Sequence, residues 1–444
     1  MKYLGIIIAV VALFVGSHLY TAWLENSDID LDLDVQTIRT DKGYDIWMIE
    51  DHYLPIVSVN LTFKNSGFAY DPKGKSGLAT LVASLIDEGS GDLSSFEYRK
   101  KLEELATTVS YSADEDFFNV TIKTLKQNLP QALQVVNNAL TAPHFEEETI
   151  SRIKKQIKVV INKKNEDPSY VAAVAFKQAI FGSHPYSNLK YGNESGLDNI
   201  SRDDLVRYVK DHFTNANVAI SIAGDVKAKN ISSLIDAKIF LPPAGRLLED
   251  ISTVKFDYKP EVKYIERNIP QSVIIFGGKG VKRNDENFYA AYVMNYILGG
   301  GGFESRLMDE VREKRGLAYS TYSYLELLKK CGIFVGYAGT KASSTEEAMQ
   351  VIKEQLALIA EKGVSREELD DAKNYLVNSF PLKMTKNENL AAFLSVMQTN
   401  DLGQDFLNKR NSYVNSVTAD AIQNLAKSIV SPEKMIFIVV GKQK

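Results

Sequence analysis

An internal repeat sets the architecture available to this chain. The stretch "ISRDDLVRYVKDHFTNANVAISIAG", Ile200 to Gly224, aligns without a gap with "VTADAIQNLAKSIVSPEKMIFIVVG", Val417 to Gly441, at a constant offset of 217. Each copy opens on a hydroxyl residue, Ser201 or Thr418, suited to cap a helix. Each closes in an apolar, strand-like run that ends in glycine. An offset near half of the 444 residues, with one copy closing each half, means two similar domains rather than a short-period solenoid. The "LPPAGRLLEDISTVKFDYKP" segment between them has a proline pair and mixed charge, which suit a linker. The expected organisation is a first domain over 35–241, a linker over 242–260 and a second domain over 261–444.

Hydrophobic periodicity fills in the elements. Strands are expected at Val57–Phe63, Phe117–Lys123, Ser272–Phe276 and Gly332–Ala338. Helices are expected at Ser94–Leu105, Leu129–Leu140, Glu147–Asn165, Thr345–Glu361 and Ser365–Ser379. Helix pairs follow strand groups, so the expected class is α+β: two similar domains related by duplication, each an antiparallel-rich sheet with helices on one face. A content of 45% hydrophobic and 24% charged residues suits a folded chain, and a net charge of −4 supplies no basic footprint for nucleic acid.

The N-terminus points outward. Lys2 precedes 22 residues, Tyr3 to Leu24, without a charged side chain, followed by Glu25, Asp28, Asp30, Asp32 and Asp34. That length spans a bilayer, and a positive start with an acidic exit places the rest of the chain across it. Residues 1–24 read as either a signal peptide cut after Val15-Gly16-Ser17 or a membrane anchor. Both predict an exported, periplasmic chain, soluble after cleavage or tethered to the inner membrane. One cysteine, Cys331, excludes a disulfide framework and reads as a core thiol.

Chemistry-bearing motifs are sparse. "GFAYDPKGKS" lacks the first glycine of a phosphate loop, which is Ala69. The run Gly299, Gly300, Gly301 and Gly302 allows unusual backbone angles or a close approach; it reads as a substrate-contacting loop or only a flexible turn between helices. "HPY" at His184 to Tyr186 suits a structural loop. No two of His18, His52, His144, His184 and His212 lie three or four residues apart, so no local metal pair exists. In "GLATLVASLIDEG", Leu78, Leu81, Val82 and Leu85 form an apolar helical face, with Thr80 and Ser84 one turn apart on another. Asp87 and Glu88 read as solvated helix-end charges.

Several stretches carry a resemblance: "LP-V-V" at Leu54–Val59, "GLA" at Gly77–Ala79, "HPY", "ISRDDL…F…N…IAGDV" and above all "LGGGGFESRLMDEVREKRGLAYSTYSY", Leu298 to Tyr324. Together they resemble the pitrilysin/insulinase family of inverted-motif zinc peptidases, in the branch of mitochondrial processing peptidase. The resemblance implies that Thr80, Ala83 and Ser84 stand where active members place two histidine ligands and a glutamate base. Counting back from "NEDP", Asn165 to Pro168, it puts Val160 at the third ligand. It also implies that "REKRGLAY" keeps the family's Arg-Tyr pair as Arg312 and Tyr319, which contact the scissile peptide. A chain of this kind has no metal or cofactor of its own. It would supply Arg312, Tyr319 and half a chamber to a homologous subunit that holds zinc, and together they would cut peptides or unfolded segments. The alternatives are a catalytically silent structural or peptide-binding subunit of a membrane-associated complex, and a lone protease with relocated ligands.

Overall fold

The computed structural model describes residues 33–243 and 249–441. The segment 1–24, its acidic flank through Asp32 and linker residues 244–248 lie outside them. The first half contains β1 (Gln36–Arg39), β2 (Asp45–Glu50), β3 (Ile56–Lys64), β6 (Thr108–Ala113), β7 (Phe117–Leu125) and β8 (Val218–Gly224), with a short ribbon of β4 (Gly89–Ser90) and β5 (Leu93–Ser94). The second contains β9 (Glu261–Glu266), β10 (Gln271–Lys279), β11 (Ala318–Leu328), β12 (Cys331–Lys341) and β13 (Ile436–Gly441).

The two sheets repeat one another. The first runs β1-β2-β8-β3-β7-β6 and the second β9-β13-β10-β12-β11, so without β1 the orders coincide. The single parallel pair occupies the same place in each, β2 with β8 and β9 with β13. The helix Arg202–His212, moved by the offset of 217, falls on Ala419–Ile429. Equal residue counts between equivalent elements are what kept the repeat ungapped. The expected strands and helices all appear, most with ends within two residues.

The expectation of helices on one face only is corrected. Along β3, Val57, Val59, Leu61 and Phe63 enter the first core, while Ser58, Asn60 and Thr62 take the opposite face. An alternating antiparallel strand normally gives that second face to water. Here all three polar residues are buried, because the helix Asn387–Thr399 from the second half lies across them. Thr62 Oγ1 meets Ser395 Oγ at 2.7 Å, Gln398 Nε2 donates to the Asp45 carbonyl at 3.0 Å, and Asn387 Nδ2 donates to the Ile56 carbonyl at 3.2 Å. The exchange is reciprocal. The first half's helix Pro168–Phe181 covers β10 and β13, packing Ala172, Phe176 and Ile180 on Val273, Ile275 and Ile438. Burying Phe176 alone contributes roughly 2–3 kcal/mol. Cys331 sits in this cluster, its thiol pushed up to about 12 by burial, as a core residue should.

Candidate functional site

The helix Leu78–Leu85 starts from a device that sequence reasoning misses. Gly77 has φ +96°, and its amide with those of Leu78 and Ala79 converges on the Asp71 carboxylate at 2.7, 3.1 and 2.9 Å. Those are donors that a helix start leaves without partners. Burial pushes Asp71 up to about 7 against these three donors. The available signal is an acid six residues before the helix-initiating glycine, inside the stretch that fails as a phosphate loop.

Downstream, every candidate ligand position is chemically spent. Thr80 is buried and its hydroxyl donates to the Lys190 carbonyl. Ser84 Oγ donates to the Thr80 carbonyl at 2.9 Å, and Ala83 packs on the first core. The helix Glu147–Glu166 buries Ile150, Ile153, Ile157 and Ile161 and leaves Val160 36% exposed. Two hydroxyls turned toward carbonyls and two alkyl groups offer Zn²⁺ no suitable ligand and water no base. Among the described residues no group of three or more His, Cys, Asp or Glu side chains is placed to hold a metal.

Asp87 and Glu88 are drawn out of water, against expectation. Burial raises Asp87. Glu88 accepts from Arg152 Nη2 and Ser95 Oγ, both at 2.8 Å. An acid already holding a guanidinium makes a poor metal ligand. His184 is structural: its Nδ1 accepts from the Tyr186 amide at 3.2 Å and its Nε2 donates to the Ser252 carbonyl at 2.9 Å. The neighbouring Tyr186 does more than the sequence suggests. Fully buried, it donates to Asp116 at 2.6 Å and accepts from the Lys330 amide at 3.0 Å, latching the first half onto the β11–β12 turn.

The second half holds the other candidates. The Gly-rich run is no loose loop: a π-helical turn, Tyr296–Gly300, prolongs the helix Phe288–Asn295, and a 3-10 turn, Gly302–Glu304, follows. A Cβ at Gly299 would lie 2.6 Å from the Ser323 amide nitrogen, so this glycine is required by its approach to β11. At Gly302, with φ +61°, a Cβ would meet nothing. The run ends by presenting Phe303, 62% exposed, beneath the Arg312 guanidinium at 5.1 Å. Arg312 has no carboxylate nearer than Glu313 at 3.6 Å.

Tyr319 owes its position to a β-bulge. Along β11, Thr321 and Ser323 are buried on one face while Tyr322 and Tyr324 take the opposite face, the one beneath the helix Pro168–Phe181, so strict alternation would place Tyr319 with Thr321 and Ser323. The register with β12 slips between Ala318 and Ser320, leaving Tyr319 as the extra residue. It is 51% exposed, and its hydroxyl makes no hydrogen bond among the described residues. Arg312 and Tyr319 thus share one end of the second half, on either side of the Gly316 reversal at φ +62°. No hydrogen bond joins them. The Leu78–Leu85 helix packs on β6 and the helices Glu147–Glu166 and Arg202–His212, whereas the Arg312 turn packs on β11 and the helix Thr345–Lys362. The two candidate half-sites therefore stand on separate halves of the chain.

Comparison with known proteins gives a consistent picture. Residues 46–192 match the family model described as Insulinase (Peptidase family M16), and residues 199–376 match the Peptidase M16 inactive domain. The chain is 27% identical over 403 residues to a Helicobacter pylori protein named Non-peptidase homolog YmxG, covering 89% of this chain and 91% of that one. It is 23% identical over 381 residues, 84% and 90% of the two chains, to a Bacillus subtilis protein named Uncharacterized zinc protease YmxG. A crystal structure of a peptidase M16 inactive domain from Pseudomonas fluorescens superposes with a TM-score of 0.87 at 25% identity, over 93% of this chain and 98% of that one.

Proposed function

Because the chain belongs to the insulinase family of peptidases, M16, and its sequence contains no H-x-x-E-H, we propose that it is the non-zinc-binding subunit of an exported zinc metallopeptidase. In this reading a homologous zinc-bearing partner holds the metal and the general base. This chain contributes Arg312, Tyr319 and half of the chamber wall. What supports the reading is an asymmetry: every position that the resemblance assigns to a zinc ligand or base holds a spent or apolar group, while Arg312 is half-exposed and Tyr319 is exposed with no hydrogen bond among the described residues.

Two such donors suit a carbonyl oxygen that gains negative charge during hydrolysis. The bulge aims Tyr319 and the Phe303 ring carries Arg312, which supports preorganisation toward a group the chain itself does not contain. Both β6 and β11 are edge strands, each able to accept an extended peptide by strand addition. Export rests on the apolar segment 3–24.

A silent structural or peptide-binding subunit is the competing reading, favoured by the Helicobacter relative's name. Purification of the tagged full chain from its native host separates the two. Catalytic help in trans predicts a co-purifying homologue with intact H-x-x-E-H, peptide hydrolysis only by the pair, and loss of that hydrolysis on Arg312→Ala. Full turnover by the Arg312→Ala pair supports the silent reading, and hydrolysis by the isolated chain removes both.

A further inference from the structure

The reciprocal exchange of helices creates two equivalent cavities, one over each sheet, and they have diverged in charge. The cavity between the second sheet and the helix Pro168–Phe181, about 360 Å³, holds Glu326 and the Lys177–Glu115 ion pair. Its counterpart between the first sheet and the helix Asn387–Thr399, about 470 Å³, is walled by Thr62, Asn119, Thr121, Ser395 and Thr399 together with Arg283.

Arg283 is the anomaly. Its guanidinium lies 4.0 Å over the Phe288 ring and 4.8 Å from the Phe406 ring, which fix its position. Among the described residues no carboxylate lies within 4 Å of it, and its nearest polar partner is the neutral Tyr289 phenol, which lies too far out of line for a well-formed hydrogen bond. The Tyr289 hydroxyl is buried without a hydrogen bond. A second guanidinium, Arg410, is buried in the same cluster, 3.9 Å over Phe380, and donates only to the Leu376 carbonyl and Asn411 Oδ1. It too lacks a carboxylate. Burial draws Arg283 below the usual guanidinium range; the Tyr289 hydroxyl opposes that shift and the charge of Arg410 adds to it. The one acid on the cavity wall, Asp114, is spent on the Asp116 and Phe117 amides and Asn119 Nδ2, at 2.9, 2.7 and 2.9 Å. Arg283 is half-buried with no carboxylate against it, so its guanidinium opens onto a cavity otherwise lined by neutral hydroxyl and amide groups, where an anion would find a cation and several further donors.

We propose that this cavity is an oxyanion site anchored by Arg283, taking a carboxylate or phosphate group. The planar fork of a guanidinium matches two oxygens of either group, and the threonine and serine hydroxyls supply further donors. The site lies apart from Arg312 and Tyr319 and does not depend on their role. Two sources present this chemistry, the carboxylate at the end of a peptide and free inorganic phosphate.

The test uses the full chain in chloride buffer at constant ionic strength. Its thermal midpoint is followed against inorganic phosphate, an acetylated tripeptide with a free carboxylate, and the same tripeptide amidated. The expected result is a saturable rise of a few degrees with phosphate or with the free-carboxylate peptide, and none with the amide. Arg283→Met, whose side chain can still pack on Phe288 and Phe406, should fold and should not respond to anion. Arg283→Lys keeps the charge but loses the fork, and should bind about tenfold more weakly. Glu326→Gln, in the sister cavity, should respond as wild type. A rise with phosphate alone identifies the free anion, and a rise with the peptide alone identifies the chain end. A wild-type chain with no saturable response, or an Arg283→Lys or Arg283→Met chain responding as fully as wild type, overturns the proposal.

Discussion

Replacing Tyr186 with phenylalanine removes one oxygen atom and should loosen the joint between the two halves. The hydroxyl is the only donor to Asp116 Oδ1 among the described residues and the acceptor for the Lys330 amide; Asp116 Oδ2 keeps the Lys329 amide at 2.8 Å. The substitution strands a part-buried N–H and half of a buried carboxylate. Each loss costs about 1–2 kcal/mol, so the sum is roughly 3 kcal/mol. An unfolding entropy of about 2.1 cal/mol/K per residue over roughly 400 ordered residues gives about 0.8 kcal/mol/K. The midpoint should therefore fall by about 4 °C in calorimetry near neutral pH. A double-mutant cycle with Asp116→Asn should return a coupling of about 1 kcal/mol or more, since the two side chains share one hydrogen bond. A midpoint within about 1 °C of wild type, or additive losses, would refute the latch.

The remaining expectations concern acid, glycine and metal. Burial drops His212 to about 4, below the ordinary 6.5, so between these values the unfolded chain binds a proton that the native chain refuses. The stability it adds is present above pH 6.5 and is lost as pH falls toward 4, by roughly 3 kcal/mol. His212→Gln should flatten that slope, seen as the difference between the two chains in urea midpoints from about pH 7 to about pH 4.5. Asp71, raised to about 7, and Asp114, raised to about 6, act with the opposite sign in the same window, but they are common to both chains and cancel. Gly299→Ala should cost about 1–3 kcal/mol by overpacking against Ser323, whereas Gly302→Ala should cost about 1 kcal/mol, from its positive φ alone. Midpoints in urea that are equal for the two alanines would contradict the close packing at Gly299. Metal analysis of the isolated chain should find zinc far below one equivalent, and added zinc should leave its thermal midpoint unchanged.

Much of the fold can be read in the sequence because it is written locally. The helix Glu147–Glu166 shows its apolar period, and the 217-residue offset survives because equivalent elements keep equal spacing. The features that escape are long-range. Ser58, Asn60 and Thr62 alternate as a solvent face would, and nothing near them reveals that a helix more than 300 residues later covers it. The Gly299 constraint comes from Ser323, on a strand not yet begun at that point of the chain. Tyr319 can be found by resemblance, but its outward aim depends on a register slip that only pairing with β12 creates. Arg283 sits among Lys282, Asn284, Asp285 and Glu286 and reads as a solvated loop cation; its isolation emerges only once Phe288 and Phe406 close over it.

Whether this chain completes a partner's active site with Arg312 and Tyr319 is decided by one turnover measurement. The pair is reconstituted with wild-type chain and with the Arg312→Ala, Tyr319→Phe double variant, and kcat is read at saturating peptide. A fall of about 10²–10³, with zinc content and pair formation unchanged, is the size expected when transition-state donors are removed. A kcat equal to wild type would contradict a catalytic role for either side chain.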